Sequence, residues 1–248
     1  ALISTLAKST VPWAPERAEQ LLNECPDLTV LIVNTAMGAW KNSFGLQGPD
    51  RCNQLFRHLQ KLYAESDNKD IKPNTISYGM VIAAFAKFGR AIEAESILQE
   101  LLDEFKRTKD PDLAPNAFVY NAVIDAWSKS NKNDAVQKSE ALIDDMYKIA
   151  KETKNNDLLP NRIHYTSFLN TLAKSNDPDL SSRVEHILRR LHELDKKGIP
   201  GTKPDFKLYS CIIDCLAKSN SKEGAARAED ILNIMIARYK AGEVSVKP

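Results

Sequence analysis

The sequence predicts an all-α protein, an α-solenoid of stacked antiparallel helical hairpins. A short phrase with helical periodicity recurs five times along the 248 residues, and each copy is followed by a second amphipathic stretch. No segment shows a competing strand pattern. One helical hairpin cannot bury its own apolar face, whereas stacked hairpins can, so the repeats are expected to form one elongated array rather than separate globular domains.

The recurring phrase predicts the first helix of each hairpin. In one copy, Tyr120, Val123 and Trp127 stand at positions i, i+3 and i+7, which is the spacing of one helix face. The repeat length is the number of residues between the positions that directly follow the tyrosine in successive copies. In the first copy, Val33 stands in place of this tyrosine. The repeat length is 42 to 45 residues.

Breaker residues separate the hairpins. Each second helix runs into a polar segment that ends in Pro73-Asn74, Pro115-Asn116, Pro160-Asn161 or Pro204-Asp205. Proline stops one helix, and the asparagine or aspartate is expected to cap the next. The predicted division is a partial repeat over 1–27 and repeats over 28–74, 75–116, 117–161, 162–205 and 206–248.

Composition excludes several classes of protein. With 43% apolar and 27% charged residues, the chain is too apolar for a disordered polypeptide. Its four cysteines are too few and too scattered for a disulfide framework, so they are interpreted as reduced thiols. No apolar run approaches the roughly 20 residues of a membrane helix. Because the chain starts at Ala1 without a methionine, we expect it to be a segment of a longer protein.

The sequence predicts no enzyme, no metal, no cofactor and no small-molecule substrate for this segment. Its histidines form no metal-ligand spacing, and Cys211 and Cys215 lack a second ligand pair, which favours core thiols. No glycine-rich phosphate loop or nucleophile elbow occurs. The three tryptophans, Trp13, Trp40 and Trp127, are expected to pack between helices, with base stacking as the alternative.

These phrases resemble the pentatricopeptide repeat. The stretches 76–90, 118–129 and 209–218 are similar to that family's first helix, and 94–98 and 228–232 to its second. The resemblance covers nearly the whole chain and implies a right-handed superhelix. The repeats are longer than the family's, and the surplus is expected to lengthen the second helix or the exit loop. The period alone would also suit HEAT or armadillo repeats, which rank second, ahead of tetratricopeptide repeats.

Charge is segregated along the chain although the net charge is only +1. The six predicted first-helix segments carry +6 in total, which leaves −5 for the remainder. Their boundaries are 1–8, 30–42, 75–87, 117–129, 162–174 and 206–218. First helices of such solenoids line the concave surface, so this surface is expected to be mildly basic, as suits a polyanion.

A lysine recurs near the end of the first helix. The members are Lys8, Lys41, Lys87, Lys129, Lys174 and Lys218. In the family, a lysine at this place contacts the RNA backbone, which implies a series of phosphate contacts. The alternative is a cation that complements the partial charge of the helix C-terminus, and the two interpretations are compatible.

The resemblance also assigns residues that would read RNA bases. The family selects bases with the residue after the first-helix tyrosine and the last residue before the next repeat. The matching positions are Asn34 with Asn74, Gly79 with Asn116, Asn121 with Asn161, Thr166 with Asp205, and Ser210 alone. The family's code then implies pyrimidine, any base, pyrimidine and guanine, from 5′ to 3′.

Both sets of base-reading positions have a structural interpretation as well. Residues of the second set are good helix N-caps in any helical solenoid. Small polar residues of the first set lie inside first helices, where alanine would be the better helix former. Their repeated phase favours a ligand-facing row.

The family further holds each base between side chains at the second position of neighbouring repeats. These would be Leu31, Ile76, Phe118 and Ile163, with ordinary packing between repeats as the alternative. The predicted function is sequence-selective binding of single-stranded RNA in a mitochondrion or chloroplast, in transcript stabilisation, processing or translation. The alternative is a helical scaffold that binds proteins, in an organellar ribosome or RNA-processing assembly. No membrane partner is expected.

Overall fold

The computed structural model describes residues 2–9, 11–66, 68–175, 177, 179–219 and 221–247. Over these residues the chain folds into twelve α-helices joined by loops and short 3₁₀ turns, with no strand. The helices are α1 (Leu2–Lys8), α2 (Ala14–Asn23), α3 (Val30–Asn42), α4 (Gly48–Ser66), α5 (Thr75–Lys87), α6 (Ala91–Thr108), α7 (Ala117–Lys129), α8 (Ala135–Thr153), α9 (Arg162–Leu172), α10 (Leu180–Lys196), α11 (Phe206–Ala217) and α12 (Lys222–Lys240). The predicted all-α helical-repeat fold is confirmed.

The chain forms two compact units, an N-terminal unit over 1–130 and a C-terminal unit over 131–248. In the N-terminal unit, the first helices α1, α3, α5 and α7 pack side by side. Each second helix, α2, α4 or α6, packs between the first helix before it and the one after it. In the C-terminal unit, the first helices α9 and α11 pack together and contact α8, α10 and α12.

This arrangement buries the first helices far more than the second ones. In α5, nine of 13 residues are buried, whereas in α6 six of 18 are. Helix α5 is enclosed because it contacts the first helices α3 and α7 on its two sides and the second helices α4 and α6. A second helix keeps a wide polar face in water, as an amphipathic helix does.

The surplus length of each repeat lies both in the second helix and in the exit loop. The second helices after α2 are 17 to 19 residues long. Four 3₁₀ turns follow them, at Lys69–Ile71, Pro111–Leu113, Asn156–Leu158 and Val244–Val246. Consecutive exit loops are joined, since Lys72 forms an ion pair with Asp110 and the Thr75 hydroxyl donates hydrogen bonds to the carbonyls of Asp112 and Ala114.

Polar side chains join neighbouring second helices to one another. In the N-terminal unit, Arg57 pairs with Glu100 at 2.7 Å, and in the C-terminal unit Arg183 pairs with Glu140 at 2.5 Å. These groups are partly exposed, so each pair contributes at most about 1 kcal/mol. Such pairs recur, however, and each one links a second helix to the second helix of the neighbouring hairpin.

The tryptophans follow the sequence prediction in two of three cases. Trp40 and Trp127 are buried, and their indole N–H groups donate to Glu19 at 2.8 Å and to Glu95 at 2.9 Å. The prediction is wrong for Trp13, which is exposed. Trp13 occupies the N-cap position ahead of α2, outside the space between packed helices. In the described part of the chain, no helix has the length and apolar character to span a membrane.

Candidate nucleic-acid interface

Four large apolar side chains are exposed at one repeated position of the first helices. Leu31, Ile76, Phe118 and Ile163 are each the second residue of their helix, and between 55% and 72% of each residue is accessible to water. Ordinary packing between repeats would bury them, so it does not account for this exposure. Apolar side chains that recur in water at one place favour an interaction site.

In the N-terminal unit these side chains form a row. Leu31, Ile76 and Phe118 lie at the same position of α3, α5 and α7, which pack side by side. We call these three residues the apolar row. The Phe118 ring leans over the preceding first helix, because its nearest atom lies 3.3 Å from where a Cβ on Gly79 would be. A larger residue at Gly79 would therefore push against this ring.

The first set of predicted base-reading residues lies deeper than the apolar row. Asn34, Gly79 and Thr166 are buried, while Asn121 and Ser210 are half-buried. The ligand-facing row expected from the sequence is therefore recessed. Each of these residues stands three positions after the second residue of its helix, on the same face. At Gly79, the side chains of Phe118 and Val119 on the next first helix cover this position.

The recessed residues differ in their hydrogen bonding. The Asn34 Oδ1 has no hydrogen-bond partner among the described residues. An unsatisfied buried acceptor costs about 1–3 kcal/mol, so this oxygen would gain from a donor supplied by a ligand. The Thr166 hydroxyl, by contrast, donates to the Arg162 carbonyl at 2.7 Å. Its one proton is thus already used within α9.

The second set of predicted base-reading residues caps the first helices. Asn74 accepts from two backbone N–H groups at 3.1 Å, Asn116 from one at 3.1 Å, and Asn161 from one at 2.9 Å. Asp205 accepts from the Leu208 N–H at 3.0 Å. The structural interpretation of these residues as N-caps is confirmed.

Capping engages only part of each asparagine amide. The Oδ1 of Asn74, Asn116 and Asn161 accepts the capping bonds, and their Nδ2 groups donate to no group among the described residues. These amide N–H donors remain available to a ligand. Asp205 differs, since its carboxylate also pairs with the Arg162 guanidinium at 2.8 Å.

The recurring lysines occupy unequal environments. The Lys87 ammonium donates to the carbonyls of Asn42 and Ser43 at 2.8 and 2.6 Å, at the end of the preceding first helix. It also lies 4.4 Å from the centroid of the Phe44 ring. Partial burial, together with the nearby Lys41 ammonium, lowers the pKa of Lys87. The two cations are thus close enough to reinforce each other's positive potential.

Two other lysines pair with acids of their own helix. Lys129 lies 2.5 Å from Asp125, and Lys218 lies 2.7 Å from Asp214. Lys8 is exposed and, within the described residues, has no ion pair; Lys174 is exposed as well. Phosphate binding at Lys129 or Lys218 would compete with these intrahelical pairs.

The cysteines behave as core residues rather than as ligands. Cys52 and Cys215 are buried, and burial raises the pKa of each thiol to about 12. Cys211 is half-buried, and its pKa is raised for the same reason. In the described part of the chain, no three side chains of His, Cys, Asp or Glu gather as a metal-binding group.

Comparison with known families agrees with the repeated geometry. Residues 61–130 match the family model described as the pentatricopeptide repeat domain. This segment of the chain is similar to a pentatricopeptide repeat domain. The matched segment contains α5, α6 and α7, and with them Ile76, Gly79, Asn116 and Phe118. No curated protein matches the chain.

Sequence reasoning missed one apolar residue of the C-terminal unit. By the pentatricopeptide pattern the second position of the last repeat is Lys207, which is charged. Phe206, one residue earlier, is exposed and begins α11. Phe206 was overlooked because it is the first residue of its helix, whereas the repeated apolar residues are each the second residue.

The capping role of Asn116 can be tested by measuring stability in the absence of RNA. We expect Asn116→Ala to lower the free energy of unfolding of the N-terminal unit by about 1 kcal/mol, because α7 loses its N-cap. Asn116→Asp should leave stability nearly unchanged, since aspartate caps equally well. Urea unfolding followed by circular dichroism measures both. Equal losses in the two variants would contradict the capping role.

Proposed function

We propose that the chain binds single-stranded RNA along its first helices, with one repeat for each nucleotide. We further propose that it does so in a mitochondrion or chloroplast, in transcript stabilisation, processing or translation. The observation that carries the proposal is the repeated exposure of a large apolar side chain at the second residue of α3, α5, α7 and α9. The pentatricopeptide repeat domain over 61–130 supports the same ligand class.

The apolar row suits the flat faces of nucleobases. Bases of single-stranded RNA are unstacked and can be held against protein side chains, and each such contact contributes about 1–3 kcal/mol. Packed helices lie about 8–10 Å apart, so side chains on neighbouring first helices can approach one base from both sides. In this arrangement Ile76 and Phe118 would hold one base between them, above Gly79.

Polar groups beside the row suit the edges of the bases. The unpaired Oδ1 of Asn34 would accept from a base N–H, and the free Nδ2 of Asn74 would donate to a base oxygen or nitrogen. All four bases offer both kinds of group. The choice of a pyrimidine at this repeat therefore rests on the resemblance to the family's code.

The competing proposal is a scaffold that binds a protein through the same row. It is favoured by the lysines that have protein partners, because Lys129 and Lys218 are already neutralised by Asp125 and Asp214. RNA binding and protein binding differ in their dependence on salt. Counterion release makes the affinity for RNA fall steeply as salt rises, whereas an apolar protein contact changes little.

Replacing the apolar row should weaken RNA binding without unfolding the chain. We expect Ile76→Ser with Phe118→Ser to lower affinity for a random single-stranded RNA by about tenfold or more, as lost base contacts predict. Ile92→Ser is the matched control, because Ile92 is 57% exposed on the second helix α6 and Ile76 is 58% exposed. Fluorescence anisotropy at low salt measures the affinities. Equal affinities of the double variant and the control would overturn the proposed site.

The lysine series predicts a change in salt dependence. We expect glutamine at Lys87, Lys129, Lys174 and Lys218 to reduce the slope of log affinity against log salt by about 0.7 for each lost phosphate contact. Glutamine at the second-helix residues Lys61, Lys106, Lys148 and Lys151 is the control with the same change in charge. If both quadruple variants retain the original slope, the lysines do not contact phosphates.

The base preference is tested with short oligonucleotides. A core of pyrimidine, any base, pyrimidine and guanine should bind more tightly than versions with transversions at its first and third positions. Of the three selective positions, the guanine position should discriminate least, because Thr166 and Asp205 are both engaged with Arg162. Equal affinities for all versions would remove the proposed reading by Asn34, Asn74, Asn121 and Asn161.

A further inference from the structure

A second candidate binding surface lies among the second helices of the C-terminal unit. Helices α10 and α12 border an open groove of about 730 Å³. Its apolar lining comes from Leu188 on α10, Tyr209 on α11, and Ile231 and Ile234 on α12, of which Ile234 is exposed. This groove belongs to second helices, whereas the proposed RNA site belongs to first helices.

One wall of the groove carries basic side chains without partners. Arg189, His192 and Lys196 are exposed, line the groove and form no ion pair or hydrogen bond with described residues. They stand at positions i, i+3 and i+7 of α10, on one stripe of the helix. The stripe extends about 10 Å along the helix axis, at 1.5 Å per residue.

The remaining charges of the groove are mostly paired. On α12, Arg227 pairs with Glu185, and Arg238 pairs with Glu243 and donates to the Tyr209 hydroxyl. Glu193 also lines the groove and is exposed. The groove therefore has an apolar floor, one wall with unneutralised positive charge, and carboxylates set between the cations.

The corresponding groove of the N-terminal unit is different. It lies between α4 and α6, has a volume of about 340 Å³, and its charged groups are paired within the protein. The pairs are Arg57 with Glu100, Lys72 with Asp110, and Arg107 with Glu104. Unneutralised cations on the wall of a groove are thus not a general consequence of stacking these hairpins.

We propose that the groove between α10 and α12 binds an acidic amphipathic helix of a partner protein. The apolar floor would receive the apolar stripe of that helix, and Arg189 and Lys196 would pair with its carboxylates. Electrostatic complementarity of this kind fixes both register and choice of partner. The partner helix would carry acids at the spacing of the α10 stripe, with leucine-like residues beside them.

The lining favours a peptide over RNA at this place. A phosphate backbone is a continuous polyanion, and it would bring negative charge against Glu193, whereas Glu185 is paired with Arg227. A peptide can place its carboxylates opposite the cations alone. It can also bury apolar area on Ile234, the exposed member of the apolar lining, which a phosphate cannot do.

The test uses a designed helical peptide that carries one leucine stripe flanked by glutamates at i, i+3 and i+7. Its affinity for the whole 248-residue chain is measured by fluorescence anisotropy at low salt. Arg189→Glu with Lys196→Glu, and separately Ile234→Ser, should each weaken binding about tenfold or more. A peptide with glutamine in place of the glutamates should lose affinity to a similar extent.

The matched control is Lys148→Glu with Lys151→Glu, which makes the same change in charge at exposed positions of α8. This control should retain peptide affinity within about twofold, since α8 does not line the groove. Circular dichroism of every variant should match the parent chain, because the replaced side chains are exposed.

Two outcomes would overturn the proposal. One is a peptide that does not bind, or that binds the groove variants and the α8 control equally. The other is a groove variant that loses affinity for random RNA while its affinity for the peptide is unchanged, which would make the groove a nucleic-acid surface. RNA binding by Ile76→Ser with Phe118→Ser is measured separately, so failure of the groove is distinguishable from failure of the proposed RNA site.

Discussion

The structure depends on one constraint, namely that a single helical hairpin cannot bury its own apolar face. In the N-terminal unit, α3 and α5 are therefore enclosed by a first helix on either side and by second helices, as nine buried residues of 13 in α5 illustrate. One narrow face of each first helix remains in water. A large apolar residue that recurs on this face, as Ile76 and Phe118 do, contributes little to the core, and this exposure is the basis of the proposed ligand contact.

The same constraint gives the second helices a different role. They are enclosed on one side only, and their polar faces are joined across neighbouring hairpins by pairs such as Arg57 with Glu100. Other second-helix pairs of this kind include Arg183 with Glu140 and Arg227 with Glu185. The groove beside Arg189 and Lys196 combines a stripe of basic side chains with apolar lining, which separates it from the rest of the second-helix surface.

Features set by a few neighbouring residues were predictable from the sequence. The N-caps Asn74 and Asn116 could be predicted, because a cap involves only the next three residues. Burial was less predictable, because it depends on the next hairpin: Phe118 covers Gly79, and Trp13 lies outside the helix contacts that bury Trp40 and Trp127. Partners such as Arg57 and Glu100, 43 residues apart, carry no local signal in a single sequence.

The central claim is that RNA lies along the first helices, in contact with the apolar row. Photocrosslinking with RNA that contains 4-thiouridine, followed by mass spectrometry of the crosslinked peptides, tests it most directly. If RNA contacts the apolar row, we expect crosslinks in the first turns of α3, α5 and α7, at or beside Leu31, Ile76 and Phe118. Crosslinks confined to the second helices α4 and α6 would contradict it.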